Sequence, residues 1–179
     1  MISVLKIINK YFKGQACRVL IAHSELVAAK ALAIAHTVPE LKPDLAFIRE
    51  ASMLHDIGIC LVDAPELDCH GKEPYVKHGV LGRELLDKEG LPKHGLVCER
   101  HTGVGITKEE IIKNKLPLPH RDLVPVSVEE EIISLADLFY SKSSPHEFSV
   151  NEIIERQQKF GEDKIIKLKG WLKKYHFFL

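Results

Sequence analysis

Apolar residues recur at helical spacing along almost the whole chain. Val4, Ile7, Ile8, Tyr11 and Phe12 stand at i, i+3, i+4, i+7 and i+8 and predict a helix over 2–13, ended by Gly14. Over 16–36, Val19, His23, Leu26, Val27, Lys30, Ala31 and Ile34 share one broad stripe of a longer helix. Pro39 and Pro43 mark a connection, and Asp44 is placed to cap a helix through Leu54 that Gly58 breaks. Residues 60–73 have no period and carry Pro65 and Gly71, so they read as a loop. Helices follow over 75–89, closed by Gly90, and over 92–101, with Pro92 in the first turn. Thr102–Ile106 reads as a tight turn, and Pro117, Pro119 and Pro125 punctuate a loop. Thr107 with Glu110, Ser127 with Glu130 and Ser149 with Glu152 are capping-box pairs. They launch a short helix, a helix over 128–142 and a helix to about 160; a last helix is expected over 162–175. No segment alternates long enough for a strand, and no repeat appears. The expected fold is all-α, one domain over 1–179, with helices 1–13 and 150–179 flanking the core. The aromatic segment Trp171–Leu179 covers either that core or a partner, core packing being the simpler reading.

Bulk properties narrow the function. A chain of 179 residues supports a sizeable core, and 45% hydrophobic with 28% charged residues is ordinary for a soluble globular protein. Lys+Arg and Asp+Glu both number 25, which removes a global electrostatic case for long nucleic acid or an anionic membrane. Lys interrupts each short apolar run at the start, so no signal-peptide core is visible. No stretch approaches the ~18 apolar residues that span a bilayer, and a cytoplasmic protein is expected. Cys17, Cys60, Cys69 and Cys98 form no C-x-x-C pair; reduced thiols are expected, with a Cys60–Cys69 disulfide as the minor alternative.

The chemistry lies in six residues next to apolar helical patterns: His23, His55, Asp56, His78, His101 and Asp137. A lone His23 would more often be a core histidine, and Asp137 has a bland reading as a salt bridge to Lys142 or Arg121. The adjacent His55-Asp56 pair tips the balance, because an ionised carboxylate is rarely buried unless it is paired or bound to metal. Imidazole with carboxylate suits divalent Fe, Mn, Zn, Ni or Co. One ion would take His23, His55, Asp56 and Asp137; a second would take Asp56, His78 and His101 and keep positions open for water and substrate. Two such ions, bridged by Asp56, suit phosphoester hydrolysis. The other histidines, His36, His70, His94, His120, His146 and His176, read as surface residues, with His70 and His94 near the proposed site in sequence.

The ordered set His23, His55-Asp56 and Asp137 resembles the H…HD…D signature of the HD-domain superfamily of metal-dependent phosphohydrolases, with Leu54–Gly58 in the HDIG form. Lys77–Leu86 and Glu99–Gly103 are similar to the two further histidine motifs of its dinuclear members, including the HD-type diadenosine tetraphosphate hydrolases. Gly105–Glu110 and Glu131–Asp137 look closer still to stand-alone HDIG proteins. The resemblance covers about 16–142 and implies a helical bundle with two transition-metal ions in its core. It also implies a phosphomonoesterase or phosphodiesterase, with metal-activated water attacking the phosphorus of a small phosphoester or nucleotide. Asp56, His78, His101 and Arg100 would be catalytic. Many HDIG proteins carry Lys directly after the glycine; here Ile59 stands there, so Lys72, Lys77, Arg100 and Lys142 are the candidate phosphate-binding cations. A Gly-Tyr-Pro motif is absent, which makes cyclic di-GMP a poor substrate. Loop 60–77 would serve as a lid or specificity wall. A di-iron oxygenase and a non-catalytic metal- or nucleotide-binding module stay open, as does a homodimer.

Overall fold

The computed structural model describes residues 3–144 and 146–177. Among these, the α-helices are α1 (Val4–Tyr11), α2 (Gly14–Thr37), α3 (Leu45–Leu54), α4 (His78–Lys88), α5 (Pro92–Arg100), α6 (Lys108–Lys113), α7 (Val128–Asp137), α8 (Val150–Gln158) and α9 (Glu162–Lys174). Among the described residues the strands are two residues long: Asp63–Ala64 pairs antiparallel with Cys69–His70. The fold is all-α. Met1, Ile2, Phe178 and Leu179, at the ends of the predicted flanking segments, lie outside the described residues.

Local chemistry explains most boundaries. Asp44 accepts the Phe47 amide at 3.0 Å and starts α3. Thr107 with Glu110 and Ser149 with Glu152 close reciprocal capping boxes at α6 and α8. Ser127 completes only half of its box, accepting the Glu130 amide. The Glu130 carboxylate turns instead to the Val126 amide and to Arg100 Nη1, because a charge-assisted pair outcompetes a neutral cap.

Three expectations need correction. The helix over 128–142 stops at Asp137, where the Phe139 and Tyr140 amides bond back to Ala136 and Asp137 and the Phe148 amide bonds to Phe139. The loop over 60–73 contains short 3-10 turns at Ile57–Leu61 and Pro65–Leu67 as well as the two-residue hairpin, all too short to show a period. Finally, α2 is long and apolar enough, by length and composition, to cross a membrane. Counting uninterrupted apolar residues missed it because Arg18, Glu25 and Lys30 punctuate the helix. Here α2 packs on α3 and α7. The four cysteines are free.

Two apolar clusters form most of the core. One gathers Val27, Ala31, Ile48, Ala51, Val97, Ile132 and Leu135 with Trp171 and Tyr175, so the described part of the C-terminal segment packs in cis. The other gathers Ile8, Phe12, Leu20, Leu54, Ile57, Leu86 and Cys98. Helices α2 and α3 cross from one cluster to the other, and the polar residues of interest lie at the crossing.

Gly58 sets the clearance there. A Cβ on Gly58 would collide with the His78 carbonyl oxygen and the backbone of Gly82, so only glycine lets α4 approach the turn after Asp56. Backbone cannot retreat as a flexible side chain can. Gly58→Ala should therefore destabilise the fold by about 3 kcal/mol or more in urea denaturation. Gly170→Ala, in α9 with nothing near its added Cβ, should instead gain roughly 1 kcal/mol. Equal stability of the two variants would show that the close approach is not a constraint.

Candidate metal centre

Five parts of the fold deliver the six polar side chains. His23 comes from the middle of α2, and His78 is the first residue of α4. His55 and His101 are the residues just past the ends of α3 and α5, and Asp137 is the last residue of α7. Three helix C-termini therefore converge here. Their partial negative charge favours a cation at the point of convergence.

Asp56 is fully buried and stands at the centre. Its Oδ2 lies 3.1 Å from His55 Nε2 and 3.4 Å from His23 Nε2. Asp137 Oδ1 completes that group, 3.0 Å from His23 Nε2 and 3.4 Å from His55 Nε2. Asp56 Oδ1 faces the other way, 3.5 Å from both His78 Nε2 and His101 Nε2, which are 3.2 Å apart. Within each of the two sets, all donor atoms lie within 4.8 Å of one another.

The imidazoles are oriented by one repeated device. His55 Nδ1 donates to the Ser52 carbonyl at 2.6 Å, His78 Nδ1 to that of Tyr75 at 2.8 Å, and His101 Nδ1 to that of Cys98 at 2.8 Å. Each bond spans three residues and leaves Nε2 aimed into the cluster. A backbone carbonyl behind the ring is the usual outer support of a metal-bound histidine. Inside the cluster, His55 Nε2 and Asp56 Oδ1 have no hydrogen-bond partner of sound geometry, and Asp56 Oδ2 meets the Lys142 ammonium. Buried polar atoms are rarely left so. Donor type, spacing, outer support and orphaned atoms all fit divalent metal.

Electrostatics point the same way. Burial opposes ionisation of Asp56, but His55 and Lys142 outweigh it and hold the carboxyl well below the usual range. Asp137 is likewise held low against burial, chiefly by Lys142 and His23. Burial disfavours protonated His55, yet the two carboxylates prevail and raise it to about 10. His78 lies on the other side, where burial dominates and lowers it to about 4, which favours the neutral ring, the form able to ligate a metal. Two carboxylates thus create a demand for positive charge between them and the histidines.

The candidate phosphate-binding cations separate sharply. Lys142, on the turn after α7, reaches the cluster with Nζ 2.6 Å from Asp56 Oδ2. Arg100 is instead engaged by Glu130 at 3.0 and 3.1 Å, and Lys77 pairs with Glu73. Lys72 is exposed. Arg121, weighed as a partner of Asp137, pairs with Glu99. His94 packs edge-on to Phe47 with Glu50 3.6 Å away, and His70 is exposed beside Asp68; neither joins the donor sets. Sequence reasoning passed over Tyr75, whose ring centroid is 4.9 Å from that of His78. Its signal was its place three residues before His78, one helical turn away.

The solved HD domain of the Listeria monocytogenes phosphodiesterase PgpH shares the fold, with a TM-score of 0.55 at 19% identity over 95% of each chain. The same domain in complex with cyclic-di-AMP also scores 0.55, at 20% identity over 94% of this chain and 92% of that one. An uncharacterized protein of Methanocaldococcus jannaschii is 40% identical over 118 residues, 65% of this chain and 61% of that protein. Two archaeal proteins named tRNA (cytidine(56)-2'-O)-methyltransferase also match. That of Picrophilus torridus is 34% identical over 66% of this chain and 30% of its own length; that of Thermoplasma volcanium is 28% identical over 90% and 44%. The chain thus spans less than two-thirds of each of these three relatives. The HD domain family model matches residues 20–141. That stretch covers more than half of the chain and holds all six clustered side chains, so the chain belongs to the HD domain family.

Proposed function

We propose that the protein is a metal-dependent phosphohydrolase that holds two divalent transition-metal ions and acts on a small phosphoester, a nucleotide or a close relative of one. The observation that carries this reading is Asp56, buried, with one oxygen facing His23 and His55 and the other facing His78 and His101. His23, His55, Asp137 and Asp56 Oδ2 would hold one ion; His78, His101 and Asp56 Oδ1 would hold the other. The second set has fewer protein donors, which leaves positions for water and substrate, as catalytic sites require. Bound metal supplies Lewis acidity and lowers the pKa of a coordinated water toward neutrality.

The chain's own residues do the rest. The Ser52, Tyr75 and Cys98 carbonyls fix the tautomers of His55, His78 and His101. Cys98 Sγ donates to the Leu54 carbonyl at 3.1 Å and ties the end of α5 to the end of α3, so the two imidazoles keep their spacing. Lys142 brings a positive charge to the cluster, where it can meet a phosphoryl oxygen. The neighbouring fold of a phosphodiesterase seen with a cyclic dinucleotide supports a nucleotide ligand. The methyltransferase name belongs to proteins of which this chain spans 30% and 44%, and methyl transfer is not carried over.

Elemental analysis of protein purified without chelator should find close to two equivalents of a transition metal per chain, and the same sample should release phosphate from members of a phosphoester panel. Failure to cleave any phosphoester at full metal occupancy, or oxygen uptake by the iron-loaded chain instead, would overturn the hydrolase reading. The ligand division makes a separate prediction. Asp56→Ala should lose both ions and more than the roughly 100-fold in activity that an outer partner costs. His78→Ala and His101→Ala should each lose mainly one ion. Retention of two ions by both histidine variants would show the assignment to be wrong.

A further inference from the structure

A cleft of about 270 Å³ opens beside the donor cluster. Tyr75, Tyr140, Ser141, Lys142, Ser143 and Arg156 line it, with Glu66 and Leu67 also in its wall. None of the six clustered side chains lines it, but two of its lining residues touch them. Lys142 reaches Asp56 from it, and Tyr75 packs beside the His78 ring. A group bound against Lys142 or Tyr75 would therefore lie one side chain away from Asp56 or His78.

The lining has a definite chemistry. Two of its side chains are aromatic. The Tyr140 hydroxyl donates to Glu147 at 2.9 Å, which fixes its ring, while Tyr75 leaves 39% of its surface exposed. Arg156, exposed on α8, stacks on Phe148 with its guanidinium carbon 4.1 Å from the ring centroid. Among the described residues no carboxylate pairs with it, so its donors remain available in a stiffened position. Lys142 already balances Asp56, and Glu66 adds a negative charge. The lining therefore offers one uncommitted cation against one anion, which suits one phosphate group and disfavours a polyphosphate. A volume just under the ~300–1,000 Å³ of ordinary small-molecule sites suits one ring system rather than two.

We propose that this cleft is the substrate site and takes the phosphate monoester of a group bearing one aromatic ring system, such as a nucleoside monophosphate. Arg156 addresses the phosphate, with Lys142 held beside it at Asp56, and Tyr75 and Tyr140 pack on the ring. As a substrate site it rests on the hydrolase reading above; as a binding site it stands on its own geometry.

The test is equilibrium binding to the full chain with its metals, measured by calorimetry. The probes are adenosine and ribose 5-phosphonates with CH2 in place of the bridging ester oxygen, which hydrolysis cannot cleave. The adenosine probe should bind at least about tenfold more tightly than the ribose probe, since base–aromatic stacking carries that much. Tyr75→Ala and Tyr140→Ala should remove most of that advantage and leave ribose binding unchanged. Arg156→Ala should weaken both probes about tenfold or more through a lost charge-assisted hydrogen bond, and Arg156→Lys should recover part. No preference for the adenosine probe, or unchanged affinities in Arg156→Ala with an unchanged melting temperature, would overturn the proposal. Phosphate release from AMP, followed separately, tells the two readings apart. Cleavage with affinities insensitive to all three residues keeps the hydrolase and overturns the cleft. Tyrosine- and arginine-dependent binding with no cleavage of any phosphoester keeps the cleft as a nucleotide site and removes the hydrolase.

Discussion

A carboxylate with no contact with water has to be met by positive charge, and the centre of this fold is arranged around that requirement at Asp56. The effective cost of burying such an ion is several kcal/mol, and attraction repays it only with good geometry. Four imidazoles and the Lys142 ammonium surround the two oxygens. The apolar clusters on either side give the arrangement stiffness. Gly58 contributes by what it lacks: without a Cβ there, the start of α4 moves in until His78 faces the same carboxylate as His55. The short segment Leu54–Gly58 thus combines two donors with the clearance that admits a third.

The donor side of the site was legible in the chain because imidazoles and carboxylates inside helical apolar patterns are costly to bury unless a cation or a hydrogen bond meets them. Its cationic side was not. Arg100, Lys72, Lys77 and Lys142 look equivalent as charges near donor motifs, yet Glu130, 30 residues from Arg100, engages it, while Glu73 holds Lys77. Lys142 reaches Asp56 because the chain leaves helical geometry at Asp137. The apolar run Leu138-Phe139-Tyr140 keeps the helical period past that point, so periodicity overruns the true end of α7. The backbone bond between Phe148 and Phe139 bends the chain there, and nothing local announces it. Arg156 was invisible for a similar reason: its place beside Tyr140 depends on how α8 returns to the turn.

Helical periodicity matches the structure best where one face of an element meets a core along several turns, as in α2, α3 and α9. Capping chemistry placed the starts of α3, α6 and α8. It was incomplete at Ser127, where Glu130 could serve either a cap or a distant arginine and tertiary charge pairing won. The two-residue hairpin at 63–70 has no sequence period to detect, and the turns around it owe their shape to packing against α2 and the Ile57–Leu61 turn.

His23 and Asp137 meet at 3.0 Å although 114 residues separate them in the chain. A cation held between them ties a loop of most of the protein's length, as a cross-link would. Closing a loop of that order removes entropy from the unfolded ensemble worth about 4–5 kcal/mol in the chain-entropy model. Metal occupancy would then be a topological fastening, and its loss would loosen helices far from any donor atom.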